Sequence, residues 1–141
     1  MIKLNSDTKV FFCSDTHFSH KNICRGVTDW RLPDGSVPKS QTRDFQTIEQ
    51  MNNAIVNNIN SVVGQDDVLI HLGDWSFGGI ENIQKFRDRI LCKEIHLILG
   101  NHDTHIENNR NNVQGLFTSV NHYTKLIYNS KTFVLSHYPI Q

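Results

Sequence analysis

The sequence predicts an α/β fold, and three observations predict it. Short apolar runs of strand length alternate with longer segments whose apolar residues recur at helical spacing. Four of the apolar runs lead straight into Asp, Asn or His beside small residues, the layout of a site built at the carboxyl ends of strands. From Phe117 onward the alternation gives way to two strand-like runs joined by a short polar loop.

Residues 9–13, Lys-Val-Phe-Phe-Cys, read as a buried first strand. Residues 18–39 are loop-rich, with Gly26, Pro33-Asp34-Gly35 and Pro38 as turn signals. A loop of that length is often functional or mobile. Trp30 within it reads as packing onto the body of the domain rather than as a lid. Thr47-Ile48-Glu49-Gln50 has the form of a capping box, and Ile48, Met51, Ile55, Ile59 and Val62 follow at helical spacing up to Gly64. Asn52, Asn53, Asn57, Asn58 and Asn60 interrupt that stripe as weak helix formers and read as a solvated face. Packing of the stripe must therefore carry the helix. Residues 67–72 are a second strand, Ile80, Ile83, Phe86 and Ile90 mark a shorter amphipathic helix, and residues 94–99 are a third strand. Residues 125–128 and 132–136 read as a hairpin around Asn129-Ser130-Lys131.

At 141 residues the chain fits one domain, residues 1–141, large enough for a real core. Fourteen basic and fourteen acidic side chains give a formal charge of zero, so there is no electrostatic argument for a polyanionic or membrane partner. A local patch inside a neutral total leaves nucleic acid open. No apolar stretch approaches the roughly 20 residues that span a bilayer. The amino terminus lacks the basic start and apolar middle of a secretory signal. Cys13, Cys24 and Cys92 are widely spaced and odd in number, which reads as reduced thiols in a cytoplasmic setting, with Cys13 in the core.

The chemistry lies at the strand ends. Asp15-Thr16-His17 follows the first strand, Gly73-Asp74 the second, Gly100-Asn101-His102-Asp103 the third, and His137 the last strand of the hairpin. Each is weak alone. Gly-Asn-His-Asp is the strongest, because a Gly turn and three polar side chains directly after an apolar run serve packing poorly. Carboxylate, imidazole and amide oxygen without thiolate suit borderline divalent ions such as Mn²⁺, Fe²⁺ or Zn²⁺ rather than a structural zinc site. His71 alternates with Ile70 and Leu72 and reads as core; His96 and His122 read as structural or exposed.

The ordered set D-x-H, G-D, G-N-H-D, H resembles the calcineurin-like metallophosphoesterases, and Ser14-Asp15-Thr16-His17-Phe18-Ser19-His20 and Leu135-Ser136-His137-Tyr138-Pro139 resemble their small bacterial and phage members. The resemblance implies an αββα architecture, a two-sheet β-sandwich flanked by helices, here with its second sheet incomplete. It implies two divalent ions, Mn²⁺ first, with Fe²⁺, Zn²⁺ or Ni²⁺ as alternatives. Asp15 and His17 would hold one ion, Asn101 and His137 the other, and Asp74 would bridge them. His102 would act beside the substrate phosphate, with Asp103 orienting its imidazole. A hydroxide shared by the ions would attack phosphorus in line, on a small phosphomonoester, phosphodiester or nucleotide.

The family's final G-H-x-H has no counterpart after His137. The expectation is a domain lacking the carboxyl-terminal His loop, with three protein ligands per ion if Asp74 counts twice. Such a chain could be an enzyme with a reduced ligand set. It could instead borrow ligands from a second copy in a homo-oligomer, or from His20 or His105, both candidates for substrate or auxiliary contacts. His20 otherwise reads as contacting substrate or the adjacent loop and His105 as a helix-end residue. The alternative is an impaired homologue that binds a partner without catalysis.

Overall fold

The computed structural model describes residues 1–113 and 115–141. Its larger sheet has four parallel strands in the order β2–β3–β4–β5, namely Val10–Cys13, Val68–His71, Glu94–Ile98 and Ser119–Asn121. The smaller sheet has the order β1–β6–β7, with β1 at Ile2–Lys3 running parallel to β6 at Tyr123–Tyr128, and β7 at Lys131–Ser136 antiparallel to it. Among the described residues four α-helices connect the parallel strands: α1 at Ile48–Val62, α2 at Ile80–Arg89, and the single turns α3 at Thr104–Glu107 and α4 at Arg110–Val113. This is the two-sheet sandwich flanked by helices.

Strand alternation divides the core in two. Leu69, Ile95 and Leu97 point to the helices, where Val56, Ile83, Phe86 and Ile106 meet them. Val68, Ile70 and Ile98 point the other way and pack on Ile2, Leu126 and Leu135 of the smaller sheet. The second cluster draws none of its buried residues from the helices. The ends of β3 and β4, buried along nearly their whole length, are thus gripped from both faces.

The first helix begins where its capping box places it. The Thr47 hydroxyl accepts from the Gln50 amide, and the Gln50 side chain accepts from the Thr47 amide. The hairpin closes through Asn129 and Ser130 alone, at φ 52° and 61°, with Tyr128 paired to Lys131. Two adjacent left-handed residues make the type I′ geometry that matches strand twist.

Several expectations fail. The Val-Phe-Phe-Cys run is an edge strand and not a buried one: among the described residues β2 pairs only with β3, and Phe12 is 50 % exposed. Its apolar composition could not reveal that. Cys13 is only half-buried, though burial still pushes its thiol up to about 12. Trp30 is 44 % exposed, held by its carbonyl, which accepts from the Gln41 side chain. The Asn residues of α1 are not uniformly a solvated face. Asn52 is buried and bonded to Ser19, and Asn60 bonds the Arg89 carbonyl and the Leu91 amide. The short elements β1, β5, α3 and α4 have too few residues to show a period.

Candidate metal centre

The site lies where β2, β3, β4 and β7 end. One donor atom each from Asp15, Asp74 and His137 fall within 4.8 Å of one another. Around them, His17 Nε2 lies 3.4 Å from Asp15 Oδ1 and 3.3 Å from Asp74 Oδ2. On the other side His137 Nε2 lies 3.6 Å from Asp74 Oδ2 and 3.1 Å from Asn101 Oδ1. The five residues read as ligands therefore converge, with the buried Asp74 at the middle.

The donor set fits a cation. His137 Nδ1 donates to the Leu72 carbonyl at 2.7 Å, which leaves the Nε2 lone pair facing inward. That lone pair then meets the Asn101 oxygen, two acceptors with no proton between them, a contact that a positive ion resolves. Partial burial works against ionisation of Asp15, but the hydrogen bond from the Ser14 hydroxyl and the adjacent His17 and His137 rings outweigh it and hold the carboxyl below its ordinary value. Burial lowers His17 despite the opposing Asp74 and Asp15 carboxylates. Both shifts favour the metal-binding forms near neutral pH.

The backbone is bent to achieve this. Asp15, His17 and Asp74 all sit at positive φ, 56°, 48° and 61°, a conformation that costs non-glycine residues energy. Gly73 and Gly100 allow the loops to touch. A Cβ on Gly73 would stand 2.6 Å from His137 Nδ1, and one on Gly100 would run into the Asp74 carboxylate.

Two side chains hold the bent loops. Asp103 is completely buried and accepts three backbone amides: Asp74 at 2.7 Å, Trp75 at 2.9 Å and Gly100 at 2.7 Å. Its carboxylate thus fastens the second loop to the third instead of orienting the His102 ring, because main-chain donors surround it where it emerges. Arg43 donates through Nη1 to the Thr16 carbonyl at 2.6 Å and through Nη2 to the Asp15 carbonyl. It reaches the site because residues 18–46 fold back on themselves, with Cys24 bridging Arg43. Arg43→Met should lower stability by about 2 kcal/mol, read by urea denaturation, and weaken metal binding, read by titration calorimetry. Lys cannot span both carbonyls and should rescue poorly.

His71 is fully buried beneath the site, as its alternation suggested. The Thr16 hydroxyl donates to the Trp75 carbonyl at 2.8 Å, so it must accept from His71 Nε2–H at 3.0 Å. His71 Nδ1 accepts from the Gly73 amide at 3.1 Å. Both nitrogens are satisfied in the neutral ring, and burial, opposed mainly by Asp15, pulls its pKa down to about 3. The unfolded chain binds this proton near pH 6.5 and the folded one only near 3, so His71 should erode stability as pH falls through that window. Urea melts between pH 7 and pH 5 should show the decline, with His71 still neutral at pH 5 by ¹⁵N NMR.

His102 is exposed; its backbone amide donates to Asp74 Oδ1 at 2.9 Å and its ring centre lies 5.5 Å from that of His17. His20 lies beside His17, with 2.9 Å between their Nδ1 atoms, and stacks on Phe77. Burial, with the neighbouring His17 and His102, lowers His20 to about 4. His105 sits in α3 outside the converging group, its Nε2 enclosed without a hydrogen-bond partner. His96 bonds Ser119 at 2.6 Å, a structural contact, and His122 meets Glu107 at the surface. Arg43, Phe77 and the loop-binding role of Asp103 escaped sequence reading; only Asp103 lay in a motif that could have drawn attention to it.

The family model of the calcineurin-like phosphoesterases matches residues 8–141, nearly the whole chain. The chain belongs to that family. Members bind divalent metals, in keeping with the Asp15, Asp74 and His137 group. Among its relatives, the uncharacterized protein MJ1445 of Methanocaldococcus jannaschii is 34 % identical over 97 residues, covering 67 % of this chain and 47 % of that protein. The crystal structure of AQ665, a protein of unknown function from Aquifex aeolicus, superposes with a TM-score of 0.65 at 24 % identity, over 94 % of this chain and 62 % of that one. That likeness concerns the fold. The chain spans about half the length of the curated relative it matches. Among the described residues, no helix is long and apolar enough to cross a membrane.

Proposed function

We propose that this phosphoesterase domain hydrolyses small phosphomonoesters, phosphodiesters or nucleotides with two divalent ions, Mn²⁺ first among them. The observation that carries the reading is the convergence of Asp15, Asp74 and His137 donors within 4.8 Å, with His17 and Asn101 at opposite ends. Asp15 and His17 would hold one ion, Asn101 and His137 the other. Asp74 suits the bridging role because it has two oxygens and Oδ2 lies almost equally far from both imidazoles, 3.3 and 3.6 Å. The bound ions would supply Lewis acidity toward water and the phosphoryl oxygens.

The residues of the chain do the rest. Two carboxylates against two divalent charges leave the centre net positive, which draws in a phosphoester dianion. His102 is fixed by its backbone to Asp74 while its exposed ring is free to reach a phosphoryl oxygen or protonate the leaving oxygen. Asp103 contributes by holding the loops and not by touching substrate.

Metal analysis joined to turnover of bis-p-nitrophenyl phosphate and p-nitrophenyl phosphate with added Mn²⁺ tests the proposal. Two equivalents of bound metal with metal-dependent turnover are expected. Failure to bind metal would overturn the reading, whereas bound metal without turnover would mark a binding protein built on the same fold.

A further inference from the structure

We propose that His20 is a positioning residue for His17, accepting its Nδ1–H and so keeping the Nε2 lone pair turned to the cation. The inference rests on the divalent-cation reading of the site and is independent of whether hydrolysis follows.

The His17 nitrogen that faces the carboxylates is Nε2. Nε2 lies 3.4 Å from Asp15 Oδ1 and 3.3 Å from Asp74 Oδ2, so Nε2 is the ligand atom. A neutral imidazole has one ring proton, and with Nε2 committed that proton must sit on Nδ1. The His17 Nδ1 atom is 2.9 Å from His20 Nδ1. Two ring nitrogens at that distance need one proton between them, so His20 takes the Nε2–H tautomer and accepts at Nδ1.

The surroundings hold this pairing in place. The two rings are 11° from coplanar, as an in-plane nitrogen-to-nitrogen hydrogen bond requires. Phe77 covers the pair on one face, 3.8 Å from the His20 ring centre at 19° and 5.5 Å from His17 at 22°. Between the histidines, Ser19 stands at φ 64°, and the His20 amide donates back to the His17 carbonyl at 3.0 Å. Asn52 pins that turn from α1, accepting the Ser19 amide at 2.9 Å and donating to its hydroxyl at 3.2 Å. Ring plane, turn and acceptor are therefore each fixed by a separate contact.

The arrangement parallels His137, whose Nδ1 proton goes to the Leu72 carbonyl. Partners of this kind orient ligand imidazoles and raise their basicity. A neutral imidazole in that role adds no negative charge, which preserves the positive centre.

The test uses the full chain loaded with Zn²⁺, which is diamagnetic. ¹⁵N NMR should find His17 protonated at Nδ1 and His20 protonated at Nε2 only. His20→Phe keeps a ring on Phe77 but removes the acceptor, and should weaken zinc binding about tenfold or more. His20→Asn places an oxygen near the Nδ1 position and should recover most of that loss, with thermal melts of the metal-free variants reporting on folding. Zinc binding at wild-type strength by His20→Phe, or a proton on His20 Nδ1 in the loaded protein, would overturn the proposal alone. Failure of the unsubstituted chain to bind zinc would overturn the cation reading with it.

Discussion

Asp74→Asn should abolish metal-dependent turnover, by about three orders of magnitude in kcat/KM, while leaving the fold intact. The substitution keeps Oδ1, which accepts the His102 amide at 2.9 Å, so the local backbone has no reason to move. What changes is the atom facing both imidazoles. In place of Oδ2, 3.3 Å from His17 and 3.6 Å from His137, an amide NH₂ would point its protons at the ligand nitrogens. On the proposed two-ion reading, each half of the centre would lose its shared oxygen and the negative charge that offsets the ions. Elemental analysis of the purified variant should show both equivalents reduced together, and circular dichroism should match the parent. Retention of one equivalent at full strength would mean that Asp74 serves a single ion.

Asp103→Ala should give the largest loss of stability, about 4 kcal/mol, with a melting temperature lower by on the order of 10–20 °C. Three amides, those of Asp74, Trp75 and Gly100, lose their acceptor at a place sealed from water. Asp103→Asn should be milder. One amide oxygen can replace Oδ2, which serves Asp74 and Gly100, leaving only the Trp75 amide facing an NH₂ group. Differential scanning calorimetry should therefore rank parent, Asn and Ala in that order. Equal melting of parent and Ala variant would show that the three amides find other partners.

Much of the fold was legible because long apolar patterns dominate it. The stripe from Ile48 to Val62 shows a helical period, the capping box marks its start at Thr47, and the strands at Val68–His71 and Glu94–Ile98 stand out as apolar runs. The edge position of β2 was not legible, since composition does not tell which strand has a neighbour. The residues that converge at the candidate site were readable because polar groups directly after apolar strands have few other uses. Their supports were not. Arg43 is an unremarkable basic residue in a long loop until that loop folds back onto Asp15, and Phe77 is one phenylalanine among eight. Asn52 misled for the opposite reason: on helical spacing it resembles its solvated neighbours, and only the Ser19 turn gives it a partner.

The left-handed bends at Asp15, His17 and Asp74 bear on how such a domain can change over generations. Glycine tolerates that conformation freely and asparagine better than most, but neither supplies the carboxylate or imidazole donor proposed at these three positions. Substitutions that would ease the chain would remove the proposed ligand, and substitutions that would keep a donor of another shape would leave the chain strained. Under the proposed roles, drift at these positions would be closed from both directions, which leaves the segments between them as the ones free to vary.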